Sequence, residues 1–333
     1  MPPSRLLLGL LGFLVASLVT LQAARLFATR LDRLGLRLGL SEALIGVLTA
    51  LAADGPELSS SVTALLHGER DVGLGIVLGS NAFNLAAMIG LGALVAGAVV
   101  PRRSSLLLEA VVAGSTTLVI ALLMAGVLSP TAALVACGAI VGPYVLLLIL
   151  GDVRVHLVPL PGPVHGVLRE ALGGGFAHHR AVPADDGWRR PVATMAIAVA
   201  AIVGGSVVMV RSALVTADEI HLSRPAVGLL VLAVVTSLPN VSTAIRLARQ
   251  RRGDAAVSET FNSNTINLLG GIAVPAVVIG LGTVTGVARS EMVWLAALTA
   301  VTLLGLARPR GIGRPAGAAL IVAYCTFLVW HLG

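Results

Sequence analysis

The chain has 333 residues, of which 56% are hydrophobic and only 12% charged. A soluble domain carries about a quarter charged residues, so a polytopic membrane protein is expected. A soluble hydrolase, a nucleic-acid-binding module and a disordered linker are excluded as the main identity. All 23 basic residues are arginine. In a membrane chain a net charge of +7 reads as loop topology signal, not as a nucleic-acid patch.

A bilayer core takes about 20 apolar residues per helix. Runs of that kind lie near 6–24, 42–66, 72–99, 104–126, 129–150, 192–214, 225–248, 255–282, 290–306 and 315–332. The expected fold class is therefore an all-α polytopic membrane protein of ten transmembrane helices. The first run follows Arg5 and has some character of a signal peptide. Keeping it as a span gives the better arginine balance. Residues 151–190 differ in kind, being rich in Gly, Pro and His, and read as a loop between a first five-helix half (1–150) and a second (191–333). His178, His179, Asp185 and Asp186 in that loop have no known metal-site spacing. Cys137 and Cys325 sit in apolar runs and imply no disulfide framework.

Positive charge is retained in the cytoplasm. The loops after spans 1, 3, 5, 7 and 9 hold eighteen arginines, and the opposite side holds five. Both termini are thus expected outside and the 151–190 loop in the cytoplasm of a cell-membrane protein. An error of one span would scramble the split.

Two segments match at an offset of 183: residues 52–84 and 235–267. From Pro56/Pro239 onward six of 29 positions are identical, clustered in the proline and in Ser80-Asn81-x-x-Asn84 against Ser263-Asn264-x-x-Asn267. Span 2 starts in the cytoplasm and span 7 outside, so the halves are inverted repeats, a common transporter design. Proline removes a donor and clashes four residues back, so Pro56 should free the carbonyl of Ala52 and Pro239 that of Val235. Bare carbonyls in a membrane need a partner, and a cation is one.

Asp54 and Glu57 flank Pro56, and charged groups inside spans are rare and functional. Ser80 with Asn84, and Ser263 with Asn267, share helix faces at i, i+4. Carboxylates, hydroxyls, amide oxygens and carbonyls are hard ligands suited to calcium, sodium or magnesium. Glu259 lies four residues before Ser263 on the same face. Glu42, Glu109 and Glu291, near span ends, read as solvated or capping groups.

GPE followed by GSNAFN, then TSLPN followed by NSNTIN, resembles the two alpha repeats of the sodium/calcium exchanger family of the calcium:cation antiporter superfamily. The alpha-1 motif would cover about 42–84 and the alpha-2 motif about 225–267. The resemblance implies a five-plus-five inverted fold with four ion sites between spans 2, 3, 7 and 8, and sliding of spans 1 and 6 for alternating access. It implies Glu57 as the central carboxylate and Asp54 as the second charge. Ser80, Asn84, Ser237, Asn240, Ser263 and Asn267 would supply neutral oxygens, and Ala50, Ala53, Ala233 and Thr236 carbonyls.

Three departures stand out. The family has glutamate after both prolines, whereas the second position here is Asn240; Asp54 stands where serine is usual; and Asn267 stands where Asp also occurs. The proton-exchanger signature GNAAEH is absent from the sequence. The expected function is a secondary antiporter moving calcium against sodium, with no cofactor and no enzyme chemistry. Its partners are inorganic cations and the lipid bilayer, with no nucleic acid and the oligomeric state open. A proton-coupled exchanger, and a non-transporting sensor or scaffold that keeps the fold, are the alternatives.

Overall fold

A computed structural model describes residues 3–37, 51–155 and 189–332. Ala50, Glu42 and most of the 151–190 loop lie outside the described residues. The helices in chain order are α1 (Pro3–Arg37), α2 (Gly55–Leu66), α3 (Arg70–Ala96), α4 (Arg103–Met124), α5 (Pro130–Val155) and α6 (Arg189–Glu219). There follow α7 (Arg224–Thr236), α8 (Leu238–Arg249), α9 (Gly253–Leu268, continued past a π-helical turn by the short helix Val274–Val278), α10 (Gly286–Leu306) and α11 (Arg314–Leu332). Two short strands, β1 (Ala98–Val99) and β2 (Ile312–Gly313), pair antiparallel with Val99 opposite Ile312.

Six of these helices (α1, α3, α4, α5, α6 and α10) contain a stretch long and apolar enough to cross a membrane. The pair α7–α8, bent by 45°, makes a seventh candidate. The expectation of ten also draws on α2, α9 and α11. Length and apolarity do not mark α2 and α9 as spans for a physical reason: α2 is short beyond its break, and α9 is rich in Ser, Thr and Asn.

Large apolar side chains such as Ile197, Val278, Leu304, Val329 and Trp330 face outward. In water that surface would be a liability; in a bilayer it is the lipid contact. α3 is the opposite case, buried along almost its whole length. The main apolar core forms around it, from Leu74, Leu78 and Leu85 to Phe261, Met292 and Phe327. α1 and α6 pack antiparallel against each other at small residues. A Cβ on Gly9 would lie 2.7 Å from Thr216 Oγ1, and one on Gly205 would lie 2.2 Å from Thr20 Oγ1.

Breaks occur where the prolines predict them, slightly upstream. Asp54 interrupts the helix before α2, with φ −79° and ψ −5°, and Ser237 separates α7 from α8 with φ −84° and ψ 0°. These positions are again 183 apart. Three π-helical stretches occur, at Leu85–Leu91, Val227–Leu232 and Leu269–Ala273. The first starts immediately after Asn84 and the third two residues after Asn267. Such bulges are frequent at functional sites.

The crossing of α3 and α7 depends on glycine. A Cβ on Gly228 would meet the Val72 carbonyl oxygen at 2.4 Å, and one on Gly79 would meet Ala233 Cβ at 2.9 Å. Small residues at such crossings let helices approach closely. Gly228→Ala is expected to destabilise by about 1–3 kcal/mol. Gly204→Ala on α6 has nothing within 4 Å of the new methyl and should be neutral or slightly stabilising. Thermal unfolding of both variants in detergent checks this, and equal midpoints would refute the packing account.

Candidate functional site

The two breaks bring the ends of α2 and α8 against the middles of α3 and α9. Asp54 and Glu57 are each 1% exposed. Glu57 sits in the first turn of α2, where free backbone N–H groups favour an anion. Its Oε1 accepts from Ser237 Oγ at 2.5 Å, and its Oε2 accepts from the Asn267 amide. That amide also donates to Asn81 Oδ1 at 3.2 Å.

Asp54 stands at the N-cap of α2, yet its side chain makes no capping hydrogen bond. It accepts instead from Ser263 Oγ, 2.7 Å away on α9, at Oδ1. Its Oδ2 is buried and has no hydrogen-bond partner. The Asp54 side chain is therefore engaged across the fold and not in capping α2. Asn84 Nδ2 donates to Ser263 Oγ and to Asn264 Oδ1, both at 3.1 Å, and Asn240 Nδ2 donates to Asn84 Oδ1 at 3.0 Å. Asn267 Oδ1 is a second buried oxygen without a partner.

One buried cluster thus joins Asp54, Glu57, Asn84, Ser237, Asn240, Ser263 and Asn267. The charges acting on Asp54 are the carboxylates Glu57 and Glu259. Two buried carboxylates that no positively charged side chain faces among the described residues, with Asp54 Oδ2 and Asn267 Oδ1 unpartnered, form an electron-rich pocket that a cation would complete.

Other expected residues differ in detail. Ser80 is buried, but its hydroxyl donates to Ile76 O at 2.6 Å on its own helix. Thr236 Oγ1 donates to Leu232 O at 2.9 Å and to Ala233 O at 3.2 Å. The Ala233 carbonyl also accepts from Ser237 N at 3.1 Å, so it is not bare. Ala53 immediately precedes the bend. Glu259 is partly buried on α9, where Arg246 is its charged neighbour.

Two residues that the sequence left as solvated or capping are buried. Glu109 on α4 is 3% exposed and Glu291 on α10 is 1% exposed. Ser258 Oγ donates to Glu109, and Glu291 has Asp71 as its charged neighbour. Nearness to a span end suggested water; packing by distant helices removes it.

Two of the identical pairs, Asn81/Asn264 and Asp71/Asp254, prove to link the halves in matching ways. Asn81 Nδ2 donates to Asn264 O and Asn264 Nδ2 donates to Asn81 O, each at 3.1 Å. Asp71 accepts from Thr285, the N-cap of α10, and Asp254 accepts from Arg102, the N-cap of α4. Asn81 and Asn264 were absent from the expected site, although their repeat identity was a usable signal. Among the described residues no group of three His, Cys, Asp or Glu side chains forms a metal cluster, so a cation here would rely on neutral oxygens.

The described residues form a bundle of apolar helices with a buried polar pocket between its two halves. The profile of the family described as sodium/calcium exchanger protein matches residues 8–150 and 190–333, and the chain belongs to that family. The putative antiporter CaxA of Alkalimonas amylolytica is 25% identical over 329 residues, covering 96% of this chain and 97% of that protein. Inner membrane protein YrbG of Escherichia coli is 30% identical over 244 residues, covering 72% and 70%. The H+/Ca2+ exchanger CAX matches with TM-score 0.75 at 16% identity, over 97% of this chain and 85% of that one. The sodium–calcium exchanger NCX_Mj, soaked with 10 mM Na+ and 10 mM Sr2+, matches with TM-score 0.59 at 18% identity, over 97% and 98%. At these identities the two structures establish the fold alone.

Proposed function

We propose that this chain is a secondary antiporter that exchanges calcium against sodium across the cell membrane, through ten helices arranged as two inverted repeats. The observation that carries the reading is the pairing of Asp54 and Glu57. Two carboxylates one turn apart are buried without a countercharge among the described residues, and hydroxyl and amide groups from the other half hold them. A dehydrated divalent ion needs about two facing negative charges, because burying unpaired charge is costly. Ser263, Asn84, Asn240 and Asn267 offer hard oxygens around it. The antiparallel contact of α1 and α6 at small residues suits their sliding past the site. No cofactor or enzymatic group enters this cycle.

A proton-coupled exchanger is the second reading, favoured by one feature: Asp54 Oδ2 is unpartnered and Asp54 faces both Glu57 and Glu259. Calcium flux in proteoliposomes, with sodium and pH gradients imposed separately, decides between them. Flux driven by sodium alone supports the first reading and flux driven by pH alone the second. No flux under either gradient would overturn both in favour of a non-transporting scaffold.

The proposed topology places both termini outside and residues 151–190 in the cytoplasm, from the arginine split. Single cysteines introduced at 165–180 are expected to resist a membrane-impermeant thiol reagent in intact cells. Labelling there would refute the orientation.

A further inference from the structure

Glu109 lies away from the pocket just described, where α4 meets α5 and α9. Ser258 Oγ donates to its Oε1 at 2.5 Å, and the Tyr144 hydroxyl is 3.4 Å from the same oxygen. The Tyr144 hydroxyl has a nearer acceptor, Asn262 Oδ1 at 2.8 Å, and Asn262 Nδ2 donates to Ser258 Oγ at 3.2 Å. The four side chains therefore close a ring. Oε2 of Glu109 is buried and has no partner. Leu108, Val112, Ile140 and Val141 pack around the ring.

From α5 and α9 the groups facing Glu109 among the described residues are the hydroxyls of Tyr144 and Ser258, of which Tyr144 is titratable. No charged side chain of α5, α9 or α10 acts on Glu109 among the described residues. An ionised carboxylate here would hold a full charge against apolar walls with one oxygen unsolvated, which is costly in a membrane interior. A metal ion would need the ring's lone pairs turned inward. The ring instead aims the Ser258 proton at Glu109 and places the Tyr144 hydroxyl nearest Asn262. A proton on Oε2 neutralises the group and leaves every hydrogen bond of the ring in place.

We propose that Glu109, with Tyr144, Ser258 and Asn262, is a proton-binding site on the rear of α9, separate from the pocket of Asp54 and Glu57. The reaction is reversible protonation of one carboxylate oxygen, with no other bond made or broken. Ser258 and Asn262 are one turn apart on α9, the helix that also carries Ser263 and Asn267. The bound proton fastens α4 and α5 to that helix. Its loss leaves an uncompensated charge at the contact and loosens it, whichever ion is coupled to transport.

Infrared spectroscopy of the purified chain in lipid nanodiscs tests this without any transport, so its result is independent of the exchange reading. At neutral pH, wild type minus Glu109→Gln should show a protonated-carboxyl C=O band that added calcium or sodium does not remove. Ser258→Ala should shift that band to higher frequency, because a hydrogen bond to the carbonyl oxygen is lost. A difference spectrum with only ionised-carboxylate bands would overturn the proposal. So would a band that sodium or calcium abolishes, which would mark a cation site instead. Thermal unfolding gives a second readout. The wild-type midpoint should fall on going from neutral to alkaline pH more steeply than that of Glu109→Gln, and parallel slopes would count against the site. Should Glu109→Gln not fold, Ser258→Ala and Tyr144→Phe read the same band, and no shift in either overturns the proposal.

Discussion

Glu57→Gln is expected to abolish calcium exchange while leaving a folded protein. The substitution keeps the shape of the side chain and removes the charge. Ser237 can still donate to the remaining carbonyl oxygen. The new amide would face the Asn267 amide as donor to donor, but a flip of Asn267 would present its unpartnered Oδ1 at the cost of its long 3.2 Å bond to Asn81 Oδ1. The cation-free protein therefore loses little. The bound cation loses one of two facing charges, and removing one partner of a buried ion pair costs about 3–5 kcal/mol. That corresponds to at least about a hundredfold in affinity. Calcium binding by calorimetry and flux in proteoliposomes measure it, and wild-type flux in a monodisperse variant would remove Glu57 from the site.

The second expected result concerns Asp54 as the second charge of the site. Asn240 occupies the position where the resemblance leads one to expect glutamate, and Asp54 occupies a position where it leads one to expect serine. Asp54 does not cap α2, and its Oδ1 is held from α9 by Ser263. Asp54→Ser should therefore weaken calcium binding by at least about a hundredfold, the scale of a lost buried charge. The loss of a helix cap cannot account for such an effect, because serine caps as well as aspartate. Adding Asn240→Glu should restore part of the affinity. Asn240 donates to Asn84, so a carboxylate at 240 would return the second charge to the same cluster from the opposite side. Unchanged affinity in Asp54→Ser, or no recovery in the double variant, would show that the second charge was never relocated to Asp54.

Several features of the site were legible before any coordinates. The paired prolines 183 apart marked both helix breaks, which fall two residues upstream at Asp54 and Ser237, because proline acts on its own backbone whatever surrounds it. The same offset paired Asn81 with Asn264 and Asp71 with Asp254, and each pair proved to make matching hydrogen bonds between the halves. The number of spans was less legible. α9 carries the polar side chains that build the pocket, so apolarity is a poor guide to it. Ser80 illustrates a limit of spacing and Ala233 a limit of resemblance. Both are buried, but the Ser80 hydroxyl and the Ala233 carbonyl make local hydrogen bonds, to Ile76 O and from Ser237 N.

Composition, periodicity and repeat spacing are local properties, and by themselves they determined a membrane protein, the two proline breaks and the carboxylates beside the first. Burial and hydrogen-bond partnership are long-range, and only the tertiary structure decided them. Asp54 finds its partner 209 residues away and Glu109 finds Ser258 149 residues away. In sequence, Glu109 and Glu291 were polar residues near the ends of apolar runs. In the fold, neighbouring helices exclude water from both, and the cost of an unpaired group in that setting makes their partners, or the lack of them, chemically significant.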